Sequence, residues 1–137
     1  MNVKYSFLLI DDIAMNNMLT HLTIKRIYPN SKIVEFTDAQ NALTYLKEQY
    51  SKMEDGENAI LFLDIYMPQM DGWGFLKEFE QLNEKIKNGI KVYILSSSNS
   101  HQDLDKADSN KHVAGYIVKP FSENYLKDVL NNIQPSA

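Results

Sequence analysis

Two textures alternate along this chain. Short apolar or β-branched runs at residues 6–10, 32–36, 59–63, 90–95 and 114–118 read as five strands. Longer stretches between them carry apolar residues at helical spacing. Residues 14–28 place Met15, Met18, Leu19, Leu22 and Ile27 on such a spacing, and Tyr28-Pro29-Asn30 stops the pattern. Asp38 is a suitable N-cap for a helix with Ala39, Ala42, Leu43 and Leu46 on one face, reaching about Tyr50. Residues 74–86 form one helix with Phe75, Leu76, Phe79, Leu82 and Ile86 on one side. Residues 96–111 are polar and only weakly periodic, and Ser122 caps a last helix carrying Tyr125, Leu126, Val129, Leu130 and Ile133. The polar stretch 51–58, with Asp55-Gly56, reads as a surface loop, and Asn88-Gly89 as a turn.

Strands alternating with helices imply βαβ units, a parallel sheet, and right-handed crossovers that cover both faces. Length adds one constraint: 137 residues suit one domain, with a core over about 7–133. Composition is that of an ordinary globular protein. The apolar run 7–10 stops at two aspartates, so it is neither a signal peptide nor a membrane span. The chain has no cysteine, which removes disulfides and thiolate metal sites and fits a reducing compartment. A net charge of −4 argues against direct nucleic-acid binding.

The chemistry lies just after the strands. Asp11 and Asp12 follow the first, Asp64 the third, Ser96, Ser97 and Ser98 the fourth, and Lys119 and Pro120 the fifth. In a parallel sheet these positions gather at one edge, where such folds bind ligands. Singly, each has a plain reading: an N-cap, a loop serine, a surface lysine. Together they put three carboxylates, a hydroxyl and an ammonium in one pocket. Unit charges about 4 Å apart interact by roughly 4 kcal/mol at an effective dielectric of about 20, so unpartnered carboxylates would raise one another's pKa. A hard cation held by few protein oxygens, in the manner of Mg²⁺, relieves that and orients a phosphoryl group. Asp64 is then placed to act as a nucleophile and form an aspartyl phosphate.

Four motifs carry a family resemblance: Leu8-Leu9-Ile10-Asp11-Asp12, Leu63-Asp64-Ile65-Tyr66-Met67-Pro68-Gln69-Met70-Asp71-Gly72, Ile94-Leu95-Ser96-Ser97, and Gly115-Tyr116-Ile117-Val118-Lys119-Pro120-Phe121. The sequence resembles a receiver domain of two-component response regulators, of the single-domain chemotaxis-regulator type. The resemblance implies a flavodoxin-like α/β fold, a doubly wound five-stranded parallel sheet of order 2-1-3-4-5 with five helices. It implies Asp64 as phosphoacceptor, and Asp11, Asp12, Asp64 and the Tyr66 backbone carbonyl as Mg²⁺ ligands. Ser96 becomes the switch hydroxyl, Lys119 the lysine that pairs with the phosphoryl group through a cis Lys119–Pro120 bond, and Tyr116 the switch aromatic. The implied partners are a histidine kinase or histidine phosphotransfer protein, and a downstream protein bound through Tyr116 and the last helix. The implied setting is cytoplasmic, with no membrane or nucleic-acid contact and no chemistry beyond the domain's own phosphotransfer and dephosphorylation.

Two alternatives stand beside this reading. One is a receiver-like docking module that is never phosphorylated. The other is an aspartyl-phosphate phosphohydrolase, which needs a second acid where Tyr66 stands. Tyr66 and Ser98 occupy positions that flank the path of the hydrolytic water in the family. A bulky Tyr66 is expected to shield the acyl phosphate and slow self-dephosphorylation. Residues 51–58 and 83–89 read as surface insertions. His21, His101 and His112 have no metal-like spacing and read as surface or packing residues. Met15 and Met18 read as core or a partner-facing patch, Asn16 and Asn17 as residues a partner could touch, and Trp73 as a packing residue near the pocket mouth.

Overall fold

A computed structural model describes residues 5–49 and 58–133. The chain runs β1 (Tyr5–Ile10), α1 (Ala14–Ile27), β2 (Lys32–Phe36), α2 (Ala39–Gln49), β3 (Asn58–Leu63), α3 (Gly72–Glu80), α4 (Glu84–Asn88), β4 (Ile90–Ser96), α5 (His101–Ser109), β5 (Val113–Val118) and α6 (Glu123–Ile133). All five strands pair in parallel, in the order β2-β1-β3-β4-β5. Alternation along each central strand feeds two cores. Leu8, Ile10, Leu61 and Leu63 face the helices α2 to α5, and Phe7, Leu9, Ile60 and Phe62 face α1 and α6. Burial on both sides explains why these strands are apolar throughout.

Six helices are present among the described residues, where the sequence pattern suggested five. The single helix expected over 74–86 is interrupted. Asn83 accepts a hydrogen bond from the Ile86 N–H at 2.9 Å, which starts a new helix three residues after α3 ends. Segment 83–89 lies at the surface, with Asn83, Glu84, Lys85 and Asn88 exposed, and is anchored at its centre by Ile86, which is buried in the core. At the other end Asp71 caps the Gly74 N–H at 2.8 Å, which moves the start of α3 back to Gly72. The weakly periodic 96–111 segment yields a helix only from His101, capped by Ser100. The loop expected over 51–58 and the end of α2 at Tyr50 lie outside the described residues, apart from Asn58 in β3.

The largest departure is α1. Most of the apolar residues expected to pack do not face the sheet: Met15, Met18, Leu19 and Leu22 are exposed, along with Ile13 before the helix, and only Ile27 of that set packs against the core. Asn17, Thr20 and Ile24 are buried instead. The Asn17 side-chain amide donates to the backbone carbonyls of Asp11 at 3.1 Å and Phe36 at 3.0 Å. Buried carbonyls need such donors, and this requirement sets the rotation of the helix.

Candidate functional site

Backbone hydrogen bonds carry the ladder one step past the strands. The Asp11 N–H reaches the Phe36 carbonyl at 3.1 Å, Asp64 reaches Ile10 at 2.9 Å, and Lys119 reaches Ser96 at 2.8 Å. With Ile10 opposite Leu63, Leu63 opposite Ile94, and Ser96 opposite Val118, the expected site residues share the carboxyl edge of the sheet. Asp11, Asp12 and Asp64 each contribute a carboxylate oxygen, and these oxygens lie within 4.8 Å of one another. An all-oxygen set on a fixed backbone fits a hard divalent cation.

Asp11 and Asp64 are buried, and Asp12 is half-buried. The Lys119 ammonium sits 2.6 Å from Asp11 Oδ2 and 3.8 Å from Asp64 Oδ2. Asp11 Oδ1 accepts from the Ile13 N–H at 2.9 Å and the Asn16 amide at 3.4 Å. One ammonium does not neutralise three carboxylates. Burial pushes the Asp64 carboxyl from 3.8 up to about 6; Lys119 pulls it down, Asp11 pushes it further up, and the N–H groups of Ile65 and Tyr66 pull it down. Two short-range backbone features shape this floor. The Lys119–Pro120 bond is cis, and Gln69 takes a positive φ of 68° in the turn after Asp64.

Ser96 is fully buried, and its hydroxyl accepts from the Ser98 N–H at 3.2 Å. Tyr116 is partly buried against the core, with its hydroxyl donating to the Ser98 carbonyl at 2.7 Å. Tyr66 is 59% exposed, and its phenol donates to Asp103 Oδ2 at 2.5 Å. The sequence did not single out Asp103. Its local signature is legible, since Ser100 and Asp103 form a capping pair in which Asp103 N–H donates to Ser100 Oγ at 3.2 Å. Its reach to Tyr66 is tertiary and leaves no such trace.

Asn16 stands beside the pocket as expected, whereas Asn17 is spent on backbone carbonyls and is not available to a partner. The exposure of Met15 and Met18 excludes a core role for them. His21 pairs with Glu35 at 2.8 Å, and His112 pairs with Glu80 and packs edge-on against Phe79. Trp73 packs against the core under the Lys106 ammonium, 5.7 Å from the ring centre.

A doubly wound parallel sheet with an acidic triad, a lysine and a serine at its carboxyl edge defines a small class of α/β proteins. The chain belongs to the response regulator receiver domain family, which matches residues 7–131. It is 30% identical over 133 residues to the probable methanogenesis regulatory protein FilR2 of Methanothrix harundinacea, spanning 95% of this chain and 81% of that one. It is 29% identical over 103 residues to stress response regulator protein 1 of Candida tropicalis, spanning 75% of this chain but only 36% of that protein. The crystal structure of a two-component response regulator from Cytophaga hutchinsonii superposes with a TM-score of 0.85 at 31% identity, covering 96% of this chain and 97% of that one. The chain is therefore a receiver of two-component signalling. No helix among the described residues is long and apolar enough to cross a membrane.

Proposed function

We propose that residues 1–137 act as one phosphorylation-controlled switch, with Asp64 as the phosphoacceptor. The observation that carries this is the convergence of Asp11, Asp12 and Asp64 with the Lys119 ammonium between two of them. The donor is a phosphohistidine on a histidine kinase or phosphotransfer protein. An Asp64 carboxylate oxygen forms a bond to phosphorus while the phosphorus–nitrogen bond breaks, and the electron pair leaves on the imidazole nitrogen. Asp11, Asp12, Asp64 and the Tyr66 carbonyl would hold a Mg²⁺ ion. Bound there, the ion supplies charge neutralisation and alignment of the phosphoryl oxygens. Lys119 shifts from Asp11 toward the new phosphoryl oxygens. The Ser96 hydroxyl gives up its Ser98 N–H and donates to the phosphoryl group. Tyr116 follows inward, and the face made by β5 and α6, where Tyr125 is exposed, changes what it binds.

Two of the exposed apolar residues of α1, Leu19 and Leu22, line a groove of about 510 Å³ together with Asn16, Arg26, Lys119 and Phe121. That groove suits the donor protein. The domain works in the cytoplasm and turns over nothing but its own phosphoryl group. Incubation with acetyl phosphate and Mg²⁺, followed by intact mass, tests the reading. The expected result is a gain of one phosphoryl group that requires the metal. Equal labelling of Asp64→Ala would overturn it.

A further inference from the structure

We propose that Asp103 is a positioning residue of the switch, and that its carboxylate clamps the loop after Asp64 to the loop after Ser96 in the resting state. The proposal rests on the receiver reading above and adds a restraint outside the metal pocket. Asp103 is buried at the start of α5, outside the metal pocket. Its Oδ2 accepts from Tyr66 at 2.5 Å, Ser98 Oγ at 2.6 Å and Ser100 Oγ at 3.1 Å. Tyr66 follows Asp64 by two residues, and Ser98 follows Ser96 by two. One carboxylate therefore spans the two loops that must move relative to each other.

The geometry makes Asp103 an obstacle to switching. In the resting arrangement the Ser96 hydroxyl is engaged by the Ser98 N–H. Delivering that hydroxyl to a phosphoryl group on Asp64 requires the Ser98 backbone to give way. Ser98 is held at its side chain by Asp103 and at its carbonyl by Tyr116. Charge-assisted hydrogen bonds are the stronger kind, so the Asp103 tie weights the resting state. A ligand that needs the minor conformation binds with an affinity reduced by that conformation's population. Loosening the clamp therefore tightens such a ligand without any change in the pocket itself.

The test uses beryllofluoride with Mg²⁺ as the phosphoryl mimic, titrated by amide chemical shifts. The variants are Asp103→Asn and Tyr66→Phe, the second removing a single hydroxyl and leaving the helix cap intact. Tyr66→Phe is expected to bind beryllofluoride about tenfold tighter, the weight of one charge-assisted hydrogen bond lost from the resting state, and Asp103→Asn, which weakens the bonds from Tyr66, Ser98 and Ser100 together, at least as much tighter. The double variant should gain no more than the larger single effect, because both break one tie. The Mg²⁺ affinity of Asp103→Asn without beryllofluoride should match wild type. A merely structural role for Asp103 would lower stability without raising this affinity. Unchanged or weaker beryllofluoride binding in both variants, with a responsive wild type, overturns the clamp. A wild type that binds no beryllofluoride overturns the receiver reading and the clamp with it.

Discussion

Replacing Gly72 with alanine is expected to disturb the pocket without touching a charged group. Gly72 opens α3 directly behind Asp64, with its N–H donating to the Ile65 carbonyl at 2.7 Å. A β-carbon there would stand 2.6 Å from the Asp64 carbonyl oxygen and 2.8 Å from the Ile65 α-carbon. Carbon contacts settle at about 3.5–4.0 Å, so the shortfall is about 1 Å. Both obstacles are backbone, so no side-chain rotation relieves the clash, and either the end of β3 or the start of α3 must retreat. Overpacking of this kind costs about 1–3 kcal/mol. With a urea m-value of about 2 kcal/mol/M, the unfolding midpoint falls by about 0.5–1.5 M. A reacting group displaced by about 1 Å loses roughly a hundredfold in rate, so Asp64 labelling by acetyl phosphate should slow by that order. Urea unfolding followed by circular dichroism gives the first number, and timed intact-mass measurements on the native protein give the second. Gly74→Ala is the control, because its β-carbon would meet only side-chain atoms, at 3.3 and 3.4 Å. A Gly72→Ala protein with a wild-type midpoint and a wild-type labelling rate would refute the reasoning.

Three further outcomes follow from the same pocket. Asp64 is pushed from 3.8 to about 6, so between those values the folded protein holds a proton that the unfolded chain has released. Metal-free wild type should therefore lose stability as pH rises through that window, and Asp64→Asn should lose less, as read from unfolding midpoints across it. Asn17→Ala strands the buried Asp11 carbonyl, while the Phe36 carbonyl keeps the Asp11 N–H, and should cost about 1–3 kcal/mol in denaturant unfolding while weakening Mg²⁺ binding through a looser Asp11. Tyr66→Ala removes the aromatic ring two residues after Asp64 and should shorten the lifetime of the acyl phosphate, measured by loss of the phosphorylated mass after the donor is removed.

The strands were legible because each central run is apolar throughout, and the site was legible because its residues stand one step past those runs. Asp11, Asp64, Ser96 and Lys119 needed only a parallel sheet to meet. The rotation of α1 was not legible. Its pattern of Met15, Met18, Leu19 and Leu22 satisfies helical spacing, yet the sheet-facing side is chosen by the Asn17 amide. Hydrophobic periodicity cannot see a polar side chain whose partners are backbone carbonyls at the ends of two strands. The break between α3 and α4 depends on one capping side chain, Asn83, inside an otherwise continuous apolar face. Asp103 lies in the least periodic segment, and its partner Tyr66 is 37 residues away along the chain.

Locating the acyl phosphate tests the central claim most directly. The protein is labelled with acetyl phosphate and Mg²⁺, reduced with borohydride, and digested for peptide mass spectrometry. Reduction of an aspartyl phosphate leaves homoserine at the modified position. The account predicts homoserine at residue 64 and aspartate retained at residues 11 and 12. Homoserine at residue 11 or 12, or none at residue 64 in protein that has gained a phosphoryl group, would contradict it.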